Sequence, residues 1–278
     1  MTFSIVARSA DGQSWGVAVA SKFLAVGSAV PAAVAGVGAI ATQAEANVAY
    51  KGLALSHLDE GATASVALQR LLEEDDGREH RQVGLVDVDG NAAMHTGHEC
   101  FDWAGGVTDQ DVSIQGNILT GPEVVEAMKQ AWDDSAHEPD LARRLLAALR
   151  AGDEAGGDKR GRQSAALLVV REGAGYGGND DVAVDLRVDD HAEPVTELAR
   201  LLDLNDLYLT ASKDEEKVPV DEALAAELDD RARRLGHHDF HAWVGSENYE
   251  MRVSRAGEER WVDQRVLDIL REQSGDVQ

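Results

Sequence analysis

Thr2 is the residue best placed to do chemistry in this chain of 278 residues. It directly follows Met1 and is small, so an aminopeptidase is expected to remove Met1, leaving a hydroxyl and a free α-amine on one Cα. An α-amine has an ordinary pKa of about 7.7–8.0, low enough to take a proton near neutral pH. A hydroxyl with its own base built in is a recognised form of activated nucleophile. A plain strand starting at residue 2 would look the same, so other residues must add to the case. Gly156-Gly157-Asp158-Lys159-Arg160-Gly161-Arg162 is the second candidate. The neighbouring cations hold Asp158 ionised, and Arg160 or Arg162 is suited to grip a substrate carboxylate through paired N–H groups. The glycines let backbone approach a ligand closely. A loop closed by an internal salt bridge is the alternative.

Three rival sites carry other chemistry. His95, His98 and Cys100, with Asp102 beyond, have ligand types suited to zinc. No second ligand pair follows at a recognisable spacing, so turn and core histidines are expected instead, with no metal and no cofactor. His237, His238 and His241 weigh less. Asp189-Asp190-His191 reads as a metal or acid–base group, or equally as an N-cap for a helix at Pro194. No phosphate loop, dinucleotide fingerprint or Gly-x-Ser-x-Gly elbow occurs.

Composition narrows the partners. The net charge is −25, from 51 acidic against 26 basic residues, and only six of the basic ones are lysine. Nucleic acid is not an expected partner, since phosphate contacts need Lys and Arg. The acids are spread along the whole chain, the pattern of a solvated coat suited to high salt, where screening removes self-repulsion. No run of about 18 apolar residues exists, so no membrane span is expected. Ala25–Ala41 is apolar but rich in Gly and Ala, interrupted by Pro31 and preceded by no basic segment, unlike a signal peptide. One cysteine, Cys100, excludes an internal disulfide and fits a reducing cytoplasm.

The elements that would position these residues follow from periodicity and turn signals. Strands are expected at residues 2–9 and Ser14–Lys22, joined through Asp11-Gly12, then at Ala25–Val34 and Gly36–Gln43. Helices follow at Asn47–Leu58 and Thr63–Glu74, strands at Gln82–Val88, Asn91–Thr96 and Asp111–Leu119, and helices from Gly121 to about Trp132 and at Leu141–Ala151. Strands at Gln163–Val170 and Val182–Val188 and a helix at Pro194–Leu202 complete the series. Helices inserted in pairs between strands must cover sheet faces. The expected class is α+β, a four-layer αββα sandwich of two mainly antiparallel sheets. Composition changes near Ser212, so residues 1–211 form the expected main domain and 212–278 a small, mostly helical extension.

This order, starting from a threonine at residue 2, resembles the N-terminal nucleophile (Ntn) hydrolases, which include the proteasome β subunits, over roughly residues 2–205. More specifically, Thr2–Ala7, Gly16–Gln43, Arg81–Val88, Ala155–Val170 and Val184–His191 resemble domain-of-unknown-function family 1028. The long stretches Ala155–Ser164 and Asp185–His191 carry that match. The tail resembles a short region of longer members that bears a peptidoglycan-binding label. The resemblance implies an Ntn-like fold without naming a substrate. It implies that Lys22, ending the second strand, tunes the Thr2 nucleophile, and that Asp158 orients the amine. Gly116-Asn117 would match the turn that supplies an oxyanion donor, and Gln43, Arg160, Arg162 and Ser164 would line the substrate side. One departure stands out: no acidic residue lies between Ser14 and Lys22, where proteasome-like enzymes carry an Asp, although Ser21 is available as a substitute.

The expected function is therefore an N-terminal-threonine amidohydrolase acting on a small amide, peptide or amino-acid derivative, without a cofactor and as a homo-oligomer. The alternatives are a non-catalytic relative that binds a small acidic ligand or serves as an oligomeric scaffold, and a zinc hydrolase at His95, His98 and Cys100.

Overall fold

The computed structural model describes residues 2–255 and 257–275. The chain divides into two compact units, Met1–Leu201 and Leu202–Gln278.

The first unit opens with the hairpin β1 (Thr2–Arg8) and β2 (Ser14–Ser21), followed by a single turn α1 (Val26–Ala29) and the strands β3 (Pro31–Val34) and β4 (Gly38–Ala44). Two helices, α2 (Tyr50–Asp59) and α3 (Ala64–Glu73), lead to β5 (Arg81–Asp87), β6 (Ala92–Thr96), β7 (Gly105–Asp109) and β8 (Val112–Asn117). The helices α4 (Glu123–Asp134) and α5 (Leu141–Glu154) precede β9 (Ser164–Arg171) and β10 (Val182–Val188), and α6 (Pro194–Tyr208) spans the point of division.

The strands form a six-stranded sheet, β10-β9-β2-β1-β8-β7, and a four-stranded sheet, β3-β4-β5-β6. Every pairing in both is antiparallel. Alternation along the strands sends Val6, Val17 and Val19 of one sheet against Ala39, Ala41 and Val86 of the other. Helices α4 and α5 cover the outer face of the larger sheet. On the smaller sheet, Tyr50, Leu58, Leu68 and Leu71 of α2 and α3 pack over Ile40 and Leu85. Each face of each sheet is thereby buried, which yields the four-layer αββα sandwich expected from the element order.

Two expectations fail locally. Residues 25–34 are not one strand. Ala25 takes a left-handed φ of 52°, its N–H bonded to the Asp189 carbonyl at 2.9 Å, and the chain makes the α1 turn before β3 begins. The local sequence, small and apolar except for Ser28, carries no sign of that long-range bond. Strand β7 was not expected at all, because Gly105-Gly106 breaks the apolar alternation that marks a strand. Its pairing with β8 at the sheet edge forms it.

The second unit holds β11 (Lys217–Pro219), α7 (Glu222–Arg234), α8 (Phe240–Glu247), β12 (Trp261–Asp263) and α9 (Gln264–Ser274), with β11 and β12 antiparallel. Asp221, Asp239 and Asp263 each accept a backbone N–H at the start of α7, α8 and α9, which sets where those helices begin. Leu228, Ala232, Trp243, Val266 and Leu270 form its core. No helix among the described residues is long and apolar enough to cross a membrane.

Candidate active site

Strand register determines what faces Thr2. Thr2 pairs with Asn117 of β8, and on its other side the β1–β2 register, running through Phe3–Ala20, brings it beside Ser21. Ser21 in turn pairs with Ser164 of β9. Asn117, Thr2, Ser21 and Ser164 thus form a row across four strands at one end of the sandwich. By the period of two, Ser4, Ser113 and Gln115 lie on the same inner face one or two pairs further in. Gln43 of β4 and Gln82 of β5, themselves a register pair, meet them from the opposite sheet.

These side chains form a closed hydrogen-bond network. Ser4 Oγ donates to Gln43 Oε1 at 2.7 Å, and Gln43 Nε2 donates to Gln82 Oε1 at 2.7 Å. Asn117 Nδ2 reaches the same Gln82 Oε1 at 3.0 Å, while Gln82 Nε2 donates to the Gly116 carbonyl at 2.8 Å. A second branch runs from Ser113 Oγ to Gln115 Oε1 and from Gln115 Nε2 to Ser4 Oγ, both at 2.7 Å. All are buried. Such a network is stable in a low-dielectric core only when its members are satisfied. Its outer edge holds the Thr2 backbone, whose carbonyl accepts from Gln43 Nε2 at 3.3 Å and Asn117 Nδ2 at 3.5 Å.

The Thr2 hydroxyl lies 3.1 Å from Ser21 Oγ. The two residues are only 6% and 2% exposed. Beside Ser21 is a cavity of about 380 Å³, lined also by Phe3, Ala20, Asp153, Asp158 and Arg162. The Gly-rich loop closes against it. Asp158 is 6% exposed, and its carboxylate accepts the Lys22 backbone N–H at 2.6 Å and the Arg160 N–H at 2.9 Å. The Arg160 guanidinium lies over the same carboxylate at 3.3 Å. Gly157, at a φ of 52°, lets the loop pass the Phe3 ring; a Cβ there would sit 3.1 Å from Phe3 Cε1.

Several expected site residues have other employment. Lys22 lies one residue past the end of β2, in a bend. It is exposed, and its Nζ donates to the Arg162 carbonyl at 3.2 Å. Arg162 spans Asp153 at 2.8 Å and Glu193 at 3.1 Å, and the Asp153 carboxylate raises its pKa. Ser164 stands in the row with Ser21, but its hydroxyl donates to the Phe23 carbonyl at 2.5 Å and accepts from Val26 N at 3.1 Å, which fixes the start of α1. Gly116 is buried on the outer face, where a Cβ would come within 2.4 Å of Leu119 Cδ1. The Asn117 and Gln43 amides point into the network.

The zinc-type residues do not converge. His95 Nε2 bonds the Arg78 carbonyl at 2.9 Å, His98 Nδ1 meets Glu79 at 2.6 Å, and Cys100 Sγ donates to the Arg81 carbonyl at 3.4 Å. Burial pushes the Cys100 thiol pKa up, away from the thiolate a metal needs. Among the described residues no group of three or more His, Cys, Asp or Glu is arranged to hold a metal ion. His238 is paired with the α8 cap Asp239 at 2.9 Å, and His191 Nδ1 accepts the Glu193 N–H at 3.0 Å just before α6.

Ser4, Gln82 and Gln115 were not singled out from the sequence. Their signal was available: hydroxyl and amide residues at every second position of otherwise apolar strands, Thr2 and Ser4 in one, Ser113, Gln115 and Asn117 in another.

Fold and site together define a four-layer αββα protein with a buried hydroxyl pair at one end of its sandwich. The chain belongs to the family of unknown function DUF1028, whose model matches residues 2–198. It is similar to the crystal structure of protein SPO2555 from Silicibacter pomeroyi, of the same family, at 32% identity and a TM-score of 0.66, covering 77% of this chain and 90% of that one. Anbu (ancestral beta-subunit) from Yersinia bercovieri matches at 10% identity and a TM-score of 0.35, over 73% of this chain and 93% of its own. An Anbu (Gly-1) mutant from Hyphomicrobium sp. strain MC1 matches at 11% identity and a TM-score of 0.33, over 73% and 94%. No match is found among curated proteins.

Proposed function

We propose that this chain is an amidohydrolase whose nucleophile is Thr2, freed by removal of Met1. The observation carrying this reading is a threonine hydroxyl held 3.1 Å from Ser21 Oγ at the buried start of a central strand. A cavity of about 380 Å³ is lined in part by Ser21 of that pair. In the proposed reaction Thr2 Oγ1 attacks a substrate amide carbonyl while the Thr2 α-amine takes its proton. Backbone N–H groups hold the oxyanion, a type of contact worth about 3 kcal/mol of barrier. The amine returns the proton to the leaving nitrogen, and water then releases the acyl group with the same amine as base.

Asp158 supplies negative charge beside the ammonium that forms, and Lys22 contributes by anchoring that carboxylate through its backbone N–H. Asn117 and Gln43 act on Thr2 through its carbonyl, so that the nucleophile is preorganised. Arg162 already bridges Asp153 and Glu193. The proposed substrate, a small amide, peptide or amino-acid derivative, therefore need carry no carboxylate for it to read.

Turnover of a panel of amides and small peptides by wild type and by Thr2→Ala tests the proposal, with intact mass measured on both. Loss of turnover in Thr2→Ala and a wild-type mass lacking Met1 are expected. Equal turnover, or a retained Met1 that keeps the Thr2 nitrogen in an amide, overturns it. The second reading, a non-catalytic binding protein, is favoured by the outward course of Lys22, whose ammonium goes to the Arg162 carbonyl. That reading predicts no turnover by wild type and no difference between wild type and Thr2→Ala, whatever the state of Met1.

A further inference from the structure

We infer that Ser21 is a catalytic proton relay between the Thr2 hydroxyl and the Thr2 α-amine, an inference that rests on Thr2 being the nucleophile. The need for a relay is geometric. A direct hydrogen bond between the amine and hydroxyl of one threonine closes a five-membered ring and is forced far from linear, where hydrogen bonds weaken steeply. A second hydroxyl placed beside both groups removes that constraint. Ser21 Oγ, 3.1 Å from Thr2 Oγ1, is the neighbouring hydroxyl that would serve.

Its position is firmly set. Ser21 lies in β2 between β1 and β9, in register with Ser164 on one side and beside Thr2 on the other. The next residue, Lys22, is pinned by its N–H to the Asp158 carboxylate at 2.6 Å. Ser21 is 2% exposed and lines the cavity, so it stands at the boundary between the nucleophile and the space a substrate would fill. No acidic residue occurs on this strand between Ser14 and Lys22. A neutral hydroxyl, able to donate and accept at once, suits a proton transfer that leaves no charge on the relay.

As Thr2 Oγ1 bonds to the carbonyl carbon, its proton passes to Ser21 Oγ, while the proton Ser21 already carries passes to the α-amine. The carbonyl π pair moves to oxygen, the amine becomes ammonium, and Ser21 ends as neutral as it began. On collapse of the tetrahedral intermediate the carbonyl re-forms and the C–N bond breaks; the ammonium gives its proton to Ser21 Oγ as Ser21 gives its own to the leaving nitrogen, and Thr2 Oγ1 remains acylated.

The test uses the full chain, its N-terminus checked by intact mass, with p-nitrophenyl acetate as a small unspecific acyl donor. Burst-phase acetylation is followed by acid quench, and the acetyl group is located by peptide mapping. Wild type is expected to carry the acetyl on Thr2, and Thr2→Ala to lack it. Ser21→Ala is expected to acetylate about 100-fold more slowly, the low end of general acid–base contributions, with Ser21→Thr recovering most of the rate. The proton inventory in mixed H₂O and D₂O separates relay from support: two protons in flight in wild type, one in Ser21→Ala. Equal rates with an unchanged inventory overturn the relay and leave Thr2 as nucleophile. Absence of acetyl from wild-type Thr2, or its appearance on Ser21, overturns the nucleophile reading and the relay together.

Discussion

Gly84 is where the buried network is most easily broken. It sits mid-strand in β5, on the inner face between Gln82 and Val86, opposite Gln115 and Ser113 of the facing sheet. A Cβ added there would lie 2.1 Å from Gln115 Oε1 and 2.7 Å from Ser113 Oγ. Ordinary contact needs more than 3 Å, so in Gly84→Ala the Gln115 amide must retreat by about 1 Å. That amide is fully buried and held at both ends, accepting from Ser113 Oγ and donating to Ser4 Oγ, each at 2.7 Å. A retreat of that size stretches both bonds past useful length. Each buried polar group left without a partner costs about 1–3 kcal/mol, and overpacking alone costs a similar amount. The expected loss is about 2–5 kcal/mol of stability in the first unit.

Urea unfolding, with hydrogen exchange of the β5 and β8 amides to assign the loss to this unit, measures it. Gln115→Ala vacates the space, so the double variant should lose at least about 1 kcal/mol less than the sum of the singles. A Gly84→Ala stability within about 0.5 kcal/mol of wild type, or simple additivity, would refute the account of the network as a closed and tightly fitted unit.

Two further expectations concern the second unit. Glu227 accepts from Arg271 and Arg231, at 2.9 and 2.8 Å, and the Arg271 hydrogen bond is the main cause that holds its carboxyl down from 4.5 to about 2. A depressed carboxylate pKa adds stability at pH above 4.5 that is lost as pH falls toward 2, on the order of 1–2 kcal/mol after solvent screening. Glu227→Gln should flatten this acid limb in a circular-dichroism titration, and an unchanged limb would contradict the assignment. Arg252 is buried against Asp263 at 2.9 Å and also donates to the Leu207 carbonyl and to Thr210 Oγ1. Arg252→Leu leaves that carboxylate buried without its ion partner and should cost about 3–5 kcal/mol, read as faster proteolysis within residues 202–275. Adding Asp263→Asn, which keeps the α9 cap, should restore much of the resistance; cutting of the single variant at the wild-type rate would refute the pair's importance.

Much of the architecture was legible in the residues. Apolar alternation, Asp-Gly turns and paired helices between strands sufficed for an αββα sandwich, because these signals are local and each element's buried face has only a few ways to be covered. Residues 25–34 and β7 were not legible, since a bond from Ala25 to Asp189 and pairing with β8 decide them from outside the segment. Within the site, Thr2 and Asn117 were recognisable by type, and the structure places them side by side. Lys22 was read as an active-site cation because it was expected to end the second strand; β2 stops at Ser21, and Lys22 lies exposed in the bend beyond it with its ammonium on the Arg162 carbonyl. Ser4 and Gln115 belonged to a legible period-two polar pattern that was overlooked, whereas Gln82 is a lone Gln in its strand, whose meaning depends on what it meets across the sandwich.

The residues by themselves determined the class of fold and the presence of a threonine with a candidate base of its own, since composition, periodicity and turn chemistry act over a few residues. Only the tertiary structure decided which hydroxyl that threonine meets, which cations are already paired, and which amides converge behind it. Those outcomes depend on register between strands far apart in sequence, and a shift of one residue would turn every one of these side chains to the other face.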